Sequence, residues 1–360
     1  MGWNSWNCFR GGTVSATGVV EVAQAIVDTG LRDAGYEYVV VDDHWQASRR
    51  TAAGALVADP TRFPDGIEAV ADAVHALGLK FGIYSVPGSV TCGMYYDGYP
   101  ADGIGSLGHE ALDAETFATS GVDYLKYDWC RAHLNDGLRA QTAFRRMADE
   151  LRRTGRDIVY SISEYGLFQP WLWAPEFAQM WRTTDDLHEH WWSLAPIISQ
   201  MQTIAHYSRP GAWNDPDMLQ VGNGTLTPAE MRTHLSVWAI LNAPLMAGHD
   251  VRTMTDEVRA MLLNPSFLRI DQDWGGAAGS VIARHGVDIW AKPMSTGGSA
   301  LALVNMREEP ITVDVREHVT DDLLGPYADA WTGQPFAEGD LAAVTVDAHD
   351  SLLLEPRNPQ

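Results

Sequence analysis

Residues Tyr36–Asp43 read YEYVVVDD, an apolar and β-branched run that ends in two carboxylates. Such a continuous apolar run indicates a strand that is buried on both faces of a parallel sheet. Six further segments have the same form and are also predicted to be strands. They are Leu79–Ser85, Val122–Asp128, Asp157–Ser163, Met180–Thr184, Ala212–Asp215 and Pro244–His249.

Segments with helical spacing of their apolar residues alternate with these runs. They include Val19–Ala34, Gly66–Leu77, Gly137–Thr154 and Ala229–Leu241. Thr227, Pro228 and Glu230 predict a capping box, with Pro at the first helical position. Together with an amino-terminal strand in MGWNSW, the count is eight strand–helix units, which predicts a (β/α)₈ TIM barrel. A doubly wound sheet is the alternative, but no glycine-rich phosphate turn follows an early strand.

The pattern changes after about residue 275. Short alternating segments without intervening helices predict a small antiparallel β-sandwich. These segments are Val287–Ala291, Ala300–Val304, Ile311–Val315 and Ser351–Leu354. We therefore predict two domains, a catalytic barrel over residues 1–274 and a C-terminal β-sandwich over residues 275–360.

Composition narrows the class of ligand. The net charge of −22 argues against nucleic acid and anionic membranes, because both bind to clustered Lys and Arg. No stretch approaches 18 apolar residues, so no membrane-spanning segment is expected. A neutral substrate fits this charge better, and the 14 Trp residues offer flat faces of the kind that stack on sugars.

The amino terminus lacks the order of a signal peptide, which is a basic region, an apolar region and small residues. It begins directly in MGWNSWN, which has the character of a strand end, so we expect that residues upstream are missing. The expected location is the cytoplasm if the chain is complete, and outside the cell if the N-terminus is truncated.

Polar side chains concentrate at the carboxyl ends of the predicted strands, where barrel enzymes place their active sites. So many carboxylates at one mouth would repel one another, which indicates a functional site. The residues at these ends are Trp6, Asp42, Asp43, Tyr84, Lys126, Asp128, Glu164, Arg182, Asp185, Asp186, Asp215 and Asp217.

This set is not typical of a metal site. His188-Glu189-His190 has i, i+2 spacing, which does not place both rings on one helical face. The sequence also has no GxSxG motif and no P-loop, so we expect no metal and no cofactor. Carboxylates together with Lys, Arg and Trp are typical of glycosyl transfer.

Seven motifs then occur in order along residues 1–272: MGWNSWNCF, VDDHW, GVDYLKYDWC, SISEYG, WRTTDDL, WNDPDML and NAPLMAGHDVRTM. In this order they resemble glycoside hydrolase family 27, the melibiase-type α-galactosidases. The C-terminal sandwich resembles the accessory domain of that family.

The resemblance implies catalytic roles. Asp128, in KYDWC, matches the nucleophile of the family, and Lys126 lies on the same face of the strand, where its charge would keep Asp128 ionised. Asp186 matches the acid/base, with the adjacent Asp185 as the alternative. Retention of configuration would require the carboxyl groups of Asp128 and Asp186 to lie about 5–6 Å apart.

The resemblance also implies sugar contacts. Asp42 and Asp43 match the pair that holds O6 and O4 of galactose, and Lys126 matches the residue that reaches O3 and O4. Glu164 and Leu167 match the galactose-type pocket rather than the N-acetylgalactosamine type. The other substrate-binding residues assigned to this site are Trp6 as an apolar platform, Tyr84 at a strand end, and Arg182, with Glu164, on the O2 side.

The family resemblance implies a disulfide between Cys92 and Cys130. Cys8 is expected to stay unpaired, because His44 stands where some relatives carry a second cysteine. The chain departs from the family pattern after Cys92, where it carries the aromatic insertion GMYYDGYPADG, and at Trp129.

We therefore expect a retaining exo-glycosidase, an α-galactosidase that hydrolyses terminal α-linked D-galactose from a neutral galactoside or related oligosaccharide. Within the same family, the alternatives are a β-L-arabinopyranosidase and an isomaltose-releasing α-glucan exo-enzyme. From a different class, the alternative is a non-catalytic sugar-binding protein.

Overall fold

The computed structural model describes residues 1–273, 275 and 277–357. The chain divides into two compact units. The first contains Met1–Asp185 and Leu245–Met254, and the second contains Asp186–Pro244 and the chain from Thr255 onward.

Eight short parallel strands form the sheet predicted from the apolar runs. Their bounds are β1 Gly2–Asn4, β2 Tyr38–Val41, β3 Lys80–Ser85, β4 Tyr124–Asp128, β5 Val159–Ser163, β6 Met180–Arg182, β7 Trp213–Asp215 and β8 Met246–Ala247. Within the first unit, parallel pairing runs in the order β6-β5-β4-β3-β2-β1-β8. The first strand pairs with the last, as it does in a (β/α)₈ barrel, and the (β/α)₈ prediction is confirmed.

Helices follow the strands as predicted. Their bounds are α1 Ser5–Thr13, α2 Ala16–Asp28, α3 Gly66–Ala76, α4 Cys92–Tyr96, α5 Glu110–Thr119, α6 Ala132–Asn135, α7 Ala140–Thr154, α8 Trp191–Ile204, α9 Pro228–Leu241, α10 Asp256–Leu262 and α11 Pro265–Asp271. None of the helices within the described residues is long and apolar enough to cross a membrane.

Side-chain caps and glycines with positive φ determine where several helices begin or end. The capping box before α9 is confirmed, since the Glu230 N–H donates to Thr227 Oγ1 at 3.3 Å and the Thr227 N–H donates to Glu230 Oε2 at 2.7 Å. Two predicted helices were too long. α2 ends at Asp28 because Gly30 has a φ of +85°, and α7 begins only at Ala140 because Gly137 has a φ of +66°. Glycine adopts this left-handed conformation, which interrupts a helix.

The C-terminal region is an antiparallel β-sandwich, as predicted. Its strands are β9 Ser280–His285, β10 Val287–Pro293, β11 Ser299–Val304, β12 Ile311–Val313, β13 Tyr327–Asp329, β14 Pro335–Phe336, β15 Val344–Val346 and β16 Ser351–Pro356. One sheet has the order β14-β13-β16-β11-β10-β9, and β12 pairs with β15. Ile289 and Leu301 lie in the core that these strands enclose, together with Val346. β12 stops short of the predicted Val315 because Asp314 caps a 3₁₀ turn there.

Candidate active site

The first unit brings most of the predicted site residues to the carboxyl edge of its strands. Asp42 and Asp43 follow β2, Asp128 ends β4, Glu164 follows β5 and Arg182 ends β6. Neighbouring strands are in register here, because Lys126 on β4 lies opposite Tyr84 on β3 and Ser161 on β5. The five strand-end residues are all buried.

Asp128 is held by hydrogen-bond donors on one oxygen. Its Oδ1 accepts a short hydrogen bond from the Tyr165 hydroxyl and another from the Trp129 N–H at 2.8 Å. Donors of this kind stabilise the ionised form of a carboxyl group. Two donors therefore converge on Oδ1 of Asp128 at the end of its strand, where they would stabilise the negative charge that a nucleophile needs.

Lys126 pairs with the first of the two carboxylates after β2 and interacts electrostatically with Asp128. Its Nζ donates to Asp42 Oδ2 at 2.7 Å, and that oxygen also accepts from Asn4 Nδ2 at 2.7 Å. Burial alone would lower the pKa of Lys126, but the negative charges of Asp42 and Asp128 raise it above its usual value. Lys126 is thus a permanent cation beside both carboxylates.

Asp43 accepts hydrogen bonds from two backbone N–H groups and from the Thr91 side chain. Gly93 donates to its Oδ2 at 2.7 Å and His44 donates to its Oδ1 at 2.8 Å. Burial nevertheless raises the pKa of Asp43 above its ordinary value. Gly93 is required for this approach, because a Cβ there would lie 2.0 Å from His44 Nε2 and 3.0 Å from Asp43 Oδ2.

The predicted disulfide between Cys92 and Cys130 is confirmed, with the two Cα atoms 4.9 Å apart. Cys8 is a free thiol, also as predicted. The bridge lies against the proposed nucleophile, since the two sulfur atoms and a carboxylate oxygen of Asp128 all lie within 4.8 Å of one another. Tyr84 is fully buried beside it, with its hydroxyl 3.1 Å from Cys130 Sγ.

Glu164 is a buried carboxyl group beside Tyr165. Its Oε2 accepts from the Phe168 N–H at 2.9 Å, while its Oε1 has no hydrogen-bond partner among the described residues. Burial raises the pKa of Glu164 to about 8, although the backbone donors oppose this shift. The Arg182 guanidinium lies over the Tyr165 ring, 5.6 Å from its centroid.

Glu164→Gln should make protein stability less dependent on pH. The folded protein keeps a proton on Glu164 up to about pH 8, whereas the unfolded chain releases it near pH 4.3. This stabilisation is complete below about pH 4 and is lost as pH rises through about 8. We therefore expect the Tm of the wild type to fall by several degrees relative to Glu164→Gln between about pH 5 and pH 9.

Thermal unfolding across this pH range tests the expectation, with the exposed Glu115 on α5 changed to Gln as the matched control. Parallel Tm curves for the wild type and Glu164→Gln would contradict it.

Left-handed backbone conformations cluster at these strand ends. His44 after β2, Cys130 and Arg131 after β4, and Tyr165 after β5 have φ values between +42° and +71°. Such conformations are uncommon in residues other than glycine and concentrate at functional sites. These turns follow the strand ends that carry Asp43, Asp128 and Glu164.

The remaining predicted residues lie as follows. Trp6 is half-buried in the first turn of α1, and its ring centroid is 6.0 Å from that of His44. Trp129 is fully buried and donates from Nε1 to His133 at 2.8 Å. Asp185, in the first unit, and Asp186, in the second, are both exposed and follow β6. The acid/base role of Asp186 stays a prediction.

Asp215 and Asp217 are buried in the second unit. The carboxylate of Asp217 accepts the N–H of Leu187 at 2.7 Å and that of Met218 at 2.7 Å. Asp215 in turn accepts the N–H of Asp217 at 2.9 Å. These bonds give both carboxylates a structural role in shaping the chain after β7.

Two known protein families match consecutive parts of the chain. Residues 1–273 match the family described as "Alpha galactosidase A", and residues 284–355 match "Alpha galactosidase C-terminal beta sandwich domain". The chain belongs to glycoside hydrolase family 27. Curated α-galactosidases about 40% identical over nearly the whole chain, together with this family match, identify it as a glycoside hydrolase, an α-galactosidase.

Individual relatives agree with this assignment. The chain is 41% identical to alpha-galactosidase 3 of Arabidopsis thaliana over 97% of its own length and 79% of the plant protein. The crystal structure of alpha-galactosidase I from Mortierella vinacea superposes with a TM-score of 0.87 at 30% identity, covering 98% of this chain and 95% of that one. The Saccharomyces cerevisiae α-galactosidase with raffinose gives a TM-score of 0.85 at 25% identity, covering 99% and 97%.

Two contacts of this family 27 site were not predicted from the sequence. Tyr165 contacts Asp128, and Asn4 contacts Asp42. Asn4 ends β1 and Tyr165 is the second residue after β5, so the rule that placed the carboxylates at strand ends could have found them. Their side chains are neutral, however, whereas the prediction rested mainly on charged groups at the strand ends.

Proposed function

We propose that the protein is a retaining exo-glycosidase that releases terminal α-linked D-galactose from neutral oligosaccharides by double displacement. Asp128 is the nucleophile and Asp186 the general acid/base. The observation that carries this proposal is the setting of Asp128, a buried carboxylate with two hydrogen-bond donors on one oxygen and the Lys126 cation nearby.

In the first step Asp128 attacks C1 of the galactose from the face opposite the leaving group. Asp186 gives its proton to the glycosidic oxygen, so that the leaving sugar departs as an alcohol and a β-linked galactosyl ester forms on Asp128. In the second step Asp186 takes a proton from water, the water oxygen attacks C1, and the ester breaks. The two inversions produce α-galactose.

The surroundings of Asp42 and Asp43 support galactose as the sugar. Both carboxylates are buried, and Lys126 bridges from Asp42 toward Asp128. Two buried carboxylates can accept hydrogen bonds from an axial O4 and from O6 at once. A substrate that lacks one of these hydroxyls would leave a buried acceptor unsatisfied. The relative in Saccharomyces cerevisiae was solved with raffinose, and we infer that this chain also acts on galactosides of this kind.

The order of aryl glycosides should follow from this pair. We expect p-nitrophenyl α-D-galactoside to exceed the β-L-arabinopyranoside, which lacks the C6 hydroxymethyl group, by a factor of about ten to a few hundred in kcat/KM. The α-D-glucoside, with an equatorial O4, should be poorer still. Steady-state kinetics on the three substrates measure this order. A better rate on the arabinopyranoside would overturn the O6 role of the Asp42–Asp43 pair and favour an arabinopyranosidase.

Stereochemistry tests the mechanism separately from the substrate. Proton NMR of the reaction at early times should show α-galactose as the first product, before mutarotation. If β-galactose appeared first, the enzyme would be inverting and the double displacement would be wrong. A protein that binds galactose but releases no p-nitrophenol would be the non-catalytic alternative.

A further inference from the structure

A cavity in the second unit is bordered by two helices and the C-terminal sandwich. Its volume is about 500 Å³, within the range of about 300–1,000 Å³ that small-molecule sites occupy. Arg232 on α9 and Ala260 on α10 line it, together with Trp331 after β13 and Asp350 before β16. All four residues belong to the same compact unit, and none of them is part of the site proposed for catalysis.

Trp331 gives this cavity a fixed aromatic wall. Its Nε1 donates to Ser236 Oγ at 3.2 Å, and its backbone N–H donates to Asp329 Oδ1 at 2.8 Å. The ring packs on Phe267 with the two centroids 5.7 Å apart, and the side chain remains only half-buried. A ring that is already held in place loses little conformational entropy when a ligand covers it.

Arg232 and Asp350 place a rigid polar pair at the same cavity. The guanidinium donates from Nε to Asp350 Oδ1 at 3.1 Å and from Nη2 to Asp350 Oδ2, so two parallel hydrogen bonds fix both side chains. No described residue accepts a hydrogen bond from Nη1 of Arg232, whose two N–H groups are thus available to a ligand. The hydroxyl groups of a ligand can accept from such donors and donate to carboxylate oxygens.

The charges around the cavity narrow the class of ligand. Glu257, Asp329, Asp347 and Asp350 line it, against Arg232 as the one cation among the described lining residues, so an anion would be repelled. A wholly apolar ligand would desolvate these charges without replacing their hydrogen bonds to water. Within the described part of the chain, these carboxylates do not form a close group of three that could hold a metal ion. A neutral ligand with many hydroxyl groups fits best.

We propose that this cavity is a second, non-catalytic binding site for neutral sugars. A hexopyranose has an apolar C–H face that can stack on the Trp331 ring, and hydroxyls at its rim that can bond to Arg232 and Asp350. The proposal goes beyond the proposed reaction and does not depend on it, because it concerns other residues and requires no bond to be cleaved.

Fluorine NMR of protein labelled with 5-fluorotryptophan tests the site locally. The Trp331 resonance is the signal that is absent from the spectrum of Trp331→Phe. The methyl β-glycosides of galactose, glucose and mannose serve as probes, because an enzyme that cleaves α-galactosides leaves them intact. We expect at least one of them to shift the Trp331 resonance saturably, and the titration gives its Kd.

Two changes to the cavity should raise this Kd by about tenfold or more. Ala260→Tyr places a ring in the cavity from an exposed position on α10. Arg232→Gln/Asp350→Asn removes both charges at once, so that neither is left without its partner. Ser199→Tyr, at an exposed position of α8 outside the cavity, is the matched control and should keep the wild-type Kd. Thermal unfolding confirms that each variant is folded.

The outcomes decide the proposal without reference to hydrolysis, since the signal is local to Trp331. A saturable shift that is weakened in Ala260→Tyr and retained in Ser199→Tyr supports the sugar site. The proposal is wrong if none of the three glycosides shifts the resonance saturably, or if Ala260→Tyr keeps the wild-type Kd. Choline chloride is the cationic probe, and a saturable shift with choline but with no glycoside would show that the acidic cavity binds cations instead.

Discussion

Asp128→Asn should lower kcat on an aryl α-galactoside by at least about 10³-fold, while galactose still binds. The amide has the shape of the carboxylate, and its oxygen can still accept from Tyr165 and from the Trp129 N–H. It has no negative charge with which to attack C1, so the covalent intermediate cannot form. Steady-state kinetics and galactose binding by calorimetry measure the two halves of this expectation.

A matched control lies directly before the same strand. Asp123 precedes β4 at the opposite end of the strand and pairs with Arg156 at 2.6 Å, so Asp123→Asn changes the same chemistry away from the site. This variant should keep its turnover per folded molecule. Near-normal activity in folded Asp128→Asn would show that Asp128 is not the nucleophile.

Azide identifies the face of attack. In Asp128→Gly the missing side chain leaves room for azide, which can attack C1 of an activated α-galactoside and displace the leaving group. The product should be β-galactosyl azide, because the anion takes the place of the Asp128 carboxylate. Formation of the α-azide would place the nucleophile on the other face of the sugar.

The strand ends show how far a sequence can predict such a site. Because the side chains at the carboxyl ends of barrel strands share one mouth, apolar runs ending in Asp or Glu were enough to select Asp42, Asp43, Asp128 and Glu164. The strands themselves were predicted slightly too long. The residues beside them turn into loops through left-handed conformations such as those of His44 and Tyr165, which the side-chain pattern does not encode.

Contacts between distant loops could not be predicted from local patterns. The approach of Gly93 to Asp43 depends on the fold bringing together residues 50 positions apart. The sequence did show an aromatic insertion after Cys92, but not that Arg131, 35 positions beyond Tyr96, would fix its orientation. The disulfide was predicted only through the family resemblance, since three cysteines allow several pairings.

Asp186→Asn should lower kcat/KM for melibiose by about 10²–10⁴-fold, and the loss should depend strongly on the leaving group. A sugar alcohol is a poor leaving group and needs the proton that Asp186 supplies. Fluoride leaves with little help, so α-galactosyl fluoride should suffer a much smaller loss in the glycosylation step. The basic limb of the pH profile of kcat/KM should also disappear, since it reports the loss of that proton.

Asp185→Asn is the control that decides between the two neighbouring carboxylates. Both side chains are exposed after β6, so neither change should harm folding, and their kinetics can be compared directly. Azide should speed up the second step of Asp186→Asn and give α-galactosyl azide, because it replaces the water that Asp186 would activate and attacks the β-linked ester on Asp128. If Asp185→Asn showed the leaving-group dependence and the azide product instead, Asp185 would be the acid/base, and the identity of the nucleophile would be unaffected.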